Sequence, residues 1–318
     1  MKRKKMGLAL GGGVMRGIAH IGVLEVLGEN NLVPEILTGC SSGAIVAAAY
    51  ASGKIGELKE IAVSANRRSR AQMLDFCLTG EGLIKGGKMR DFFDYITDGK
   101  NFEDINGIKL AFVGTDALTG KEVIIDKGSI AEALEITTAI PGVSPMKRYE
   151  GRLVFDGGTA MLVPAKIAYD LGVEKVVAID VSAKRSLIAR LVGDMRRLMR
   201  DSSFGRIARP LVNAQEKIRN AEEKYFLGQV REVMKRIRLL DDDINRKFNF
   251  LEAYLIGLRA LSVDYERGIF REEEADLAIR PDVFHISRVD VTKMAELIEE
   301  GRKSVKMRLG EIIKLLEI

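Results

Sequence analysis

Two kinds of hydrophobic pattern alternate along the first two-thirds of the chain. Short apolar runs predict strands: "MGLAL" at 6–10, "EILTG" at 35–39, "KLAFVGTD" at 109–116, "EVIID" at 122–126, "RLVFDGG" at 152–158 and "KVVAIDVS" at 175–182. Between them, apolar positions recur at helical spacing. "GIAHIGVLEVLGENN" places Ile18, Ile21, Leu24 and Leu27 along one side of a helix, and "SGAIVAAAYASG" predicts a helix ending at Gly53. A partly basic helical stretch runs through "ANRRSRAQML", and "MRDFFDYIT" has the pattern of an amphipathic helix. "SIAEALEITTA" predicts a helix stopped by Pro141, and "AKIAYDLG" one closed by Gly172.

Strands alternating with helices predict an α/β fold: a mostly parallel central sheet with helices on both faces. After Val181 the texture changes. Residues 183–274 are charged, Met-containing and helical in pattern, with no clear strand. "ADLAIRPDV" at 275–283 then predicts one more strand, and the chain closes on a long helical pattern from Val291. No Gly/Ser/Pro-rich linker flanks the helical block. The expectation is therefore one domain over 1–318, with a core of about 6–182 and 275–318 and a helical insertion of about 183–274 before the last strand.

Charge adds a feature that hydropathy does not show. The net charge is +5, yet residues 184–240 carry 15 Lys and Arg against 6 Asp and Glu, a net of +9. Such a block suits an anionic partner, or a solvated helix face laced with ion pairs. "RSLIARLVGDMRRLMRD" mixes apolar residues with arginines, as in a helix lying on an anionic membrane surface. The same pattern suits a lid, a contact in a homo-oligomer, or a helix packed on the core. The block lacks aromatic interleaving, so no nucleic-acid partner is expected. Two cysteines, Cys40 and Cys77, argue against a disulfide scaffold, and the N-terminal apolar stretch is too short for a leader. With no run of transmembrane length, a cytoplasmic location is expected, with the basic block allowing peripheral contact with a membrane.

In a parallel sheet, functional groups collect beyond the carboxyl ends of the strands. Gly11 to Gly13, Ser41, Asp116, Asp156 and Asp180 all follow strand candidates. "GCSSG" is a G-x-S-x-G pattern, Gly39 to Gly43, placed between a strand and a helix. Glycines there permit a sharp turn, and the helix N-terminus favours a developing negative charge near Ser41. A serine needs a base. The chain has two histidines, His20 inside the first predicted helix and His285 late in the sequence, and neither sits in a distinctive loop. That leaves a carboxylate. Asp156 in "VFDGG" fits best, because it ends a strand and Gly157 and Gly158 turn the chain behind it; Asp116 and Asp180 read more plainly as turn or cap residues. "LGGGVMRGIAH" supplies a glycine turn whose amides could meet a phosphate or an oxyanion. It lacks the G-K-[ST] ending of a P-loop and breaks the dinucleotide pattern at Val14, so the oxyanion reading is the more economical.

Together, "GGGVMRG", "GCSSG" and "DGG", in that order, resemble the patatin-like phospholipase family. The resemblance extends through "AIPGVSPMKRYEGRLVFDGGTAMLVPAKIAYDLGVEKVVAIDVS". It implies a three-layer patatin-like sandwich and hydrolysis of fatty acyl esters of phospholipids, lysophospholipids or neutral lipids. It implies Ser41 as nucleophile and Asp156 as base, with no catalytic histidine, cofactor or metal. It places an oxyanion hole at Gly12, Gly13, Val14 and Arg16, supported by Gly11, Gly17, Gly39, Gly43, Gly157 and Gly158. One position departs: the family loop usually carries a glycine where this chain has Val14, and a β-branched residue disfavours positive φ. Either the position needs no left-handed conformation here or the oxyanion amides are displaced; a displaced hole would give a catalytically weak lipid-binding or regulatory protein, which is the alternative reading.

Overall fold

The structure is a computed structural model, and it describes residues 3–64, 76–79, 82–84, 87–140, 144–182 and 270–317. A single sheet of eight strands organises them, in the order β10-β9-β1-β2-β5-β8-β7 with β6 also on β5. The strands are β1 (Met6–Leu10), β2 (Ile36–Gly39), β5 (Lys109–Asp116), β6 (Glu122–Ile125), β7 (Lys147–Tyr149), β8 (Arg152–Asp156), β9 (Lys175–Ile179) and β10 (Leu277–Ile279). A separate hairpin pairs β3 (Phe76–Thr79) with β4 (Gly82–Ile84).

The central strands β10, β9, β1, β2 and β5 are mutually parallel. Every residue of β1 is buried, as expected of a strand covered on both faces. Alternation then splits it: Met6, Leu8 and Leu10 join the large core, while Ala9 joins a second cluster with Ile36, Val163, Ala168 and Val176. The first face is covered by α1 (Ala19–Glu29), α2 (Ser42–Ala51) and a long terminal helix; the second carries a short helix at Ala165–Asp170. The result is a three-layer α/β sandwich.

The remaining helices are α3 (Ile55–Ser64), α4 (Gly87–Thr97), α5 (Ile130–Thr137), α6 (Ala165–Asp170) and α7 (Met294–Leu315). Helices α1 and α7 cross at very close range. A Cβ on Gly22 would stand 1.9 Å from the Ile298 carbonyl oxygen, and one on Gly301 would stand 1.9 Å from that of Ala19. Two glycines thus let the backbones touch where any side chain would hold them apart.

The sheet is more mixed than a pure strand–helix alternation predicts. β6 and β8 both pair antiparallel with β5, and β7 pairs antiparallel with β8. The turn between β7 and β8 has Glu150 and Gly151 both at positive φ, 48° and 76°, which suits a tight two-residue hairpin. Residues 183–269 of the expected insertion, and with them the basic block at 184–240, lie outside the described residues. Among the described residues, no helix is long and apolar enough to cross a membrane.

Candidate active site

The elbow after β2 is built by close approach. The Cys40 amide makes the last ladder-like bond, to Leu10 O at 3.1 Å, and α2 begins with Ile45 N–H on Ser41 O. Between them Ser41 takes φ 50° and ψ −120°, a conformation that L-residues rarely hold without surrounding support. The flanking glycines explain how the turn fits. A Cβ on Gly43 would lie 2.1 Å from Leu10 O, and one on Gly39 would lie 2.5 Å from Ala44 Cα. Ser41 itself stays partly exposed. Its amide donates to Thr137 Oγ1 at 3.0 Å.

Asp156 arrives from the antiparallel side. Its amide donates to Ala139 O at 3.0 Å, and its carbonyl accepts from Thr115 Oγ1 at 2.8 Å. The turn behind it is tight, since a Cβ on Gly157 would sit 2.3 Å from Val113 O. The Asp156 carboxylate accepts the Gly158 N–H at 2.8 Å, and the Ser41 hydroxyl stands close enough to favour its ionised form. Burial pushes its pKa from 3.8 up to about 6, and the Ser41 and Gly158 hydrogen bonds hold it from rising further. The carboxyl is therefore a base that is ionised at neutral pH and still readily protonated.

The glycine loop packs beside this pair. A Cβ on Gly12 would meet Leu162 Cδ1 at 3.1 Å and Cys40 Sγ and Ser41 Cβ at 3.4 Å. The loop amides are mostly spoken for. Gly11 N–H donates to Ile179 O and Gly12 N–H to Leu162 O, each at 3.0 Å. Gly13 N–H donates to Ser42 Oγ at 2.9 Å. The Gly12 amide thus faces a protein carbonyl and not the serine hydroxyl. Val14 has φ 55°, so the position does take the left-handed conformation despite its β-branched side chain.

Arg16 is nearly buried, and its guanidinium donates to the carbonyls of Ile286 (2.9 and 2.7 Å) and Phe284 (2.9 Å). It also lies over the Phe284 ring at 5.7 Å. The arginine therefore ties the loop to residues 284–286. Gly17 makes room for Ser42, whose Oγ would be 2.3 Å from a Cβ there.

Neither histidine touches the pair. His20 is fully buried with Nε2 against Gly11 O at 2.8 Å, and burial lowers its pKa to about 4. It is a neutral donor that anchors the loop. His285 is exposed and pairs with Glu296. Asp116 caps its own turn through Leu118 and Thr119 N–H. Asp180 receives Ser182 and Arg280. Burial pushes the Cys40 thiol well up, so it stays protonated beside Asp156. Among the described residues, no group of three or more His, Cys, Asp or Glu could hold a metal ion.

Sequence reasoning singled out Ser41 and Asp156, and the structure brings them together. It missed Thr137 and the loop contact of Ser42. Ser42 lay inside the G-x-S-x-G pattern, where a second hydroxyl was visible. Thr137 carried no signal, because its contact with Ser41 spans 96 residues.

The family model described as patatin-like phospholipase matches residues 8–169, from β1 through Asp156 into α6. The chain belongs to the patatin-like phospholipase family. An uncharacterized NTE family protein of Mycobacterium bovis is 34% identical over 182 residues, covering 57% of this chain and 50% of that protein. Patatin-like phospholipase domain-containing protein 6 of Mus musculus is 26% identical over 193 residues, 59% of this chain and 14% of that one. The chain thus matches about half the length of its mycobacterial relative. Among solved structures, VipD from Legionella pneumophila aligns over 98% of this chain and 67% of its own, at 13% identity and a TM-score of 0.45. In this patatin-like chain, the matched region contains the glycine loop, the serine elbow and the "DGG" turn.

Proposed function

We propose that this patatin-like protein is a lipid acyl hydrolase that works through Ser41 and Asp156. The observation that carries the reading is the Ser41 hydroxyl set against a buried carboxyl, Asp156, whose pKa is pushed up to about 6. Asp156 takes the hydroxyl proton as Ser41 Oγ bonds to the ester carbonyl carbon. The tetrahedral oxyanion then collapses, the C–O bond to the alcohol breaks, and protonated Asp156 returns its proton to the leaving alkoxide. Water attacks the acyl-enzyme, Asp156 takes a water proton, and the fatty acid leaves as Ser41 regains its hydrogen.

Two loop amides are suited to the oxyanion. The Val14 N–H has no acceptor among the described residues, and the Gly13 N–H can exchange the Ser42 hydroxyl for a charged oxygen, a stronger acceptor. Gly12 contributes by its small size next to Ser41. The substrates proposed from family membership are fatty acyl esters of phospholipids, lysophospholipids or neutral lipids. The net +9 of residues 184–240 supports docking on an anionic lipid surface. Vesicle co-sedimentation indifferent to salt and to anionic lipid content would remove that part of the proposal.

The engaged Gly13 amide and the unfavourable φ of Val14 favour one second reading, a lipid binder with weak catalysis. Hydrolysis of a lysophospholipid by the purified protein, measured beside Ser41→Ala, separates the two. Turnover in the wild type that vanishes in Ser41→Ala supports the hydrolase. Lipid binding without turnover in either protein supports the binder.

A further inference from the structure

Threonines near a helix end usually turn their hydroxyl back onto their own helix. Two in this protein do so: Thr138 Oγ1 donates to Leu134 O at 2.6 Å, and Thr97 Oγ1 to Phe93 O at 2.7 Å. Thr137, one residue before Thr138, does not. Its fully buried hydroxyl leaves α5, donates to Val113 O on β5 at 2.6 Å, and accepts the Ser41 N–H at 3.0 Å. The proton of Oγ1 is committed to Val113, so only its lone pairs are left to receive Ser41. The bond therefore has one polarity.

Ser41 needs such a partner. At φ 50° its amide has left the β2 ladder, and it precedes the first α2 hydrogen bond. Unpaired, that donor would cost on the order of 1–3 kcal/mol. The same short segment also receives the other half of the site, because Ala139 O accepts the Asp156 N–H. On β5, two residues past Val113, Thr115 Oγ1 donates to the Asp156 carbonyl and accepts the Ala160 N–H at 3.2 Å. The Thr137 hydroxyl, the Ala139 carbonyl and strand β5 thus hold the backbones of Ser41 and Asp156 to one frame.

We propose that Thr137 is a positioning residue of this site, its hydroxyl fixing the Ser41 peptide so that Ser41 Oγ points at Asp156. The inference rests on the Ser41–Asp156 reading. It adds a residue that never touches substrate and acts through the direction of the Ser41 Cα–Cβ bond. Small displacements of a reacting group are expensive, about 10²-fold in rate for an error near 1 Å.

The test is acyl-ester hydrolysis by Thr137→Val, Thr137→Ser, Thr138→Val and Ser41→Ala over a range of pH. Thr137→Val keeps the shape and loses the hydroxyl. Its kcat is expected to fall about 10- to 100-fold with KM within about twofold. Thr137→Ser is expected to recover kcat to within about threefold of wild type, and Thr138→Val, the same substitution one residue on, to leave it unchanged. The acid limb of the pH profile supplies a readout that looser packing would not move. The groups facing the Asp156 carboxyl are the Ser41 hydroxyl, the Gly158 amide and the protonated Cys40 thiol. Of these only the Ser41 bond depends on Thr137, and weakening it lets the limb rise above its wild-type position.

Wild-type kcat and limb in Thr137→Val, with Ser41→Ala inactive, would overturn the inference and leave the hydrolase reading intact. So would a loss in Thr137→Val that Thr137→Ser also shows. Full activity in Ser41→Ala would overturn both. If Thr137→Val does not fold, the ratio of kcat between Thr137→Ser and Thr137→Ala isolates the hydroxyl, and a ratio near one overturns the inference.

Discussion

The Ser41 hydroxyl stands against the Asp156 carboxyl, with no histidine between them. A strand end brings the carboxylate and a strained elbow brings the serine, on strands β8 and β2 that both neighbour β5. The chemistry proposed for the pair depends on one property of Asp156: burial makes it a stronger base than an ordinary surface aspartate.

The first prediction concerns pH. The base form of Asp156 is lost as pH falls through about 6, so kcat/KM should drop tenfold per unit below that value and level off above it. His20 is already neutral throughout this range, with a pKa lowered to about 4. Replacing it by Gln should lower activity through the loop and leave the limb in place. A limb that moves with His20→Gln would assign the base to the histidine.

Asp156 should also cost stability at neutral pH. Its folded pKa of about 6 lies above the ordinary 3.8, so between these values the folded state binds more protons than the unfolded state. Stability from this group is full below pH 3.8 and is lost as pH rises through 6. Over that window the group is worth roughly 2–3 kcal/mol. Asp156→Asn is expected to melt a few degrees higher than wild type at pH 8, and the difference should vanish near pH 3.5. His20 has the opposite sign, its folded pKa of about 4 lying below 6.5, so it makes stability rise with pH over that window. The wild type–variant difference cancels the histidine and isolates Asp156. Equal melting temperatures at pH 8 would contradict the assignment.

Val14 holds φ 55° against its own preference. Glycine removes that strain and adds freedom to the unfolded chain, and the two effects are of similar size, about 1 kcal/mol each. Val14→Gly should therefore stay within about 1 kcal/mol of wild type in urea unfolding, with turnover equal or higher. A fall in turnover of tenfold or more would show that the valine side chain itself serves the site.

The α1–α7 crossing makes a stability prediction separate from the site. In Gly301→Ala the new methyl would meet the Ala19 carbonyl at 1.9 Å, backbone against which nothing flexible can yield. A loss of about 2–4 kcal/mol is expected. Gly310→Ala, on the same helix with open space at its Cβ, should gain up to about 1 kcal/mol from helix propensity. Equal stability of the two variants would refute the close crossing.

The parallel half of the fold was legible because its strands are buried on both faces and read as unbroken apolar runs, as in "MGLAL" and "KVVAI". The antiparallel pairing of β6 with β5 is legible in the five-residue turn "ALTGK" between them, too short for a parallel crossover, whereas nothing in hydropathy sets the direction of β8. β7, "KRY", has no apolar signature, and the Glu150–Gly151 turn puts a non-glycine residue at positive φ, which composition does not announce. Ser41 and Asp156 were legible because each sits in a local glycine turn whose form depends on neighbours in sequence. Thr137 and Ser42 act through contacts that exist only once the sheet has formed. The β-branched side chain of Val14 argues against positive φ, and the structure overturns that expectation: the loop holds φ 55°, with Met15 N–H held by Arg288 O at 3.2 Å and the Arg16 side chain by Phe284 and Ile286.

The most direct measurement is site mapping of a fluorophosphonate adduct by peptide mass spectrometry, with and without lipid micelles. The account predicts one adduct, on Ser41, absent from Ser41→Ala and formed at a rate that falls as pH drops through about 6. A folded wild type that remains unlabelled in both conditions, or an adduct on another residue, would contradict it.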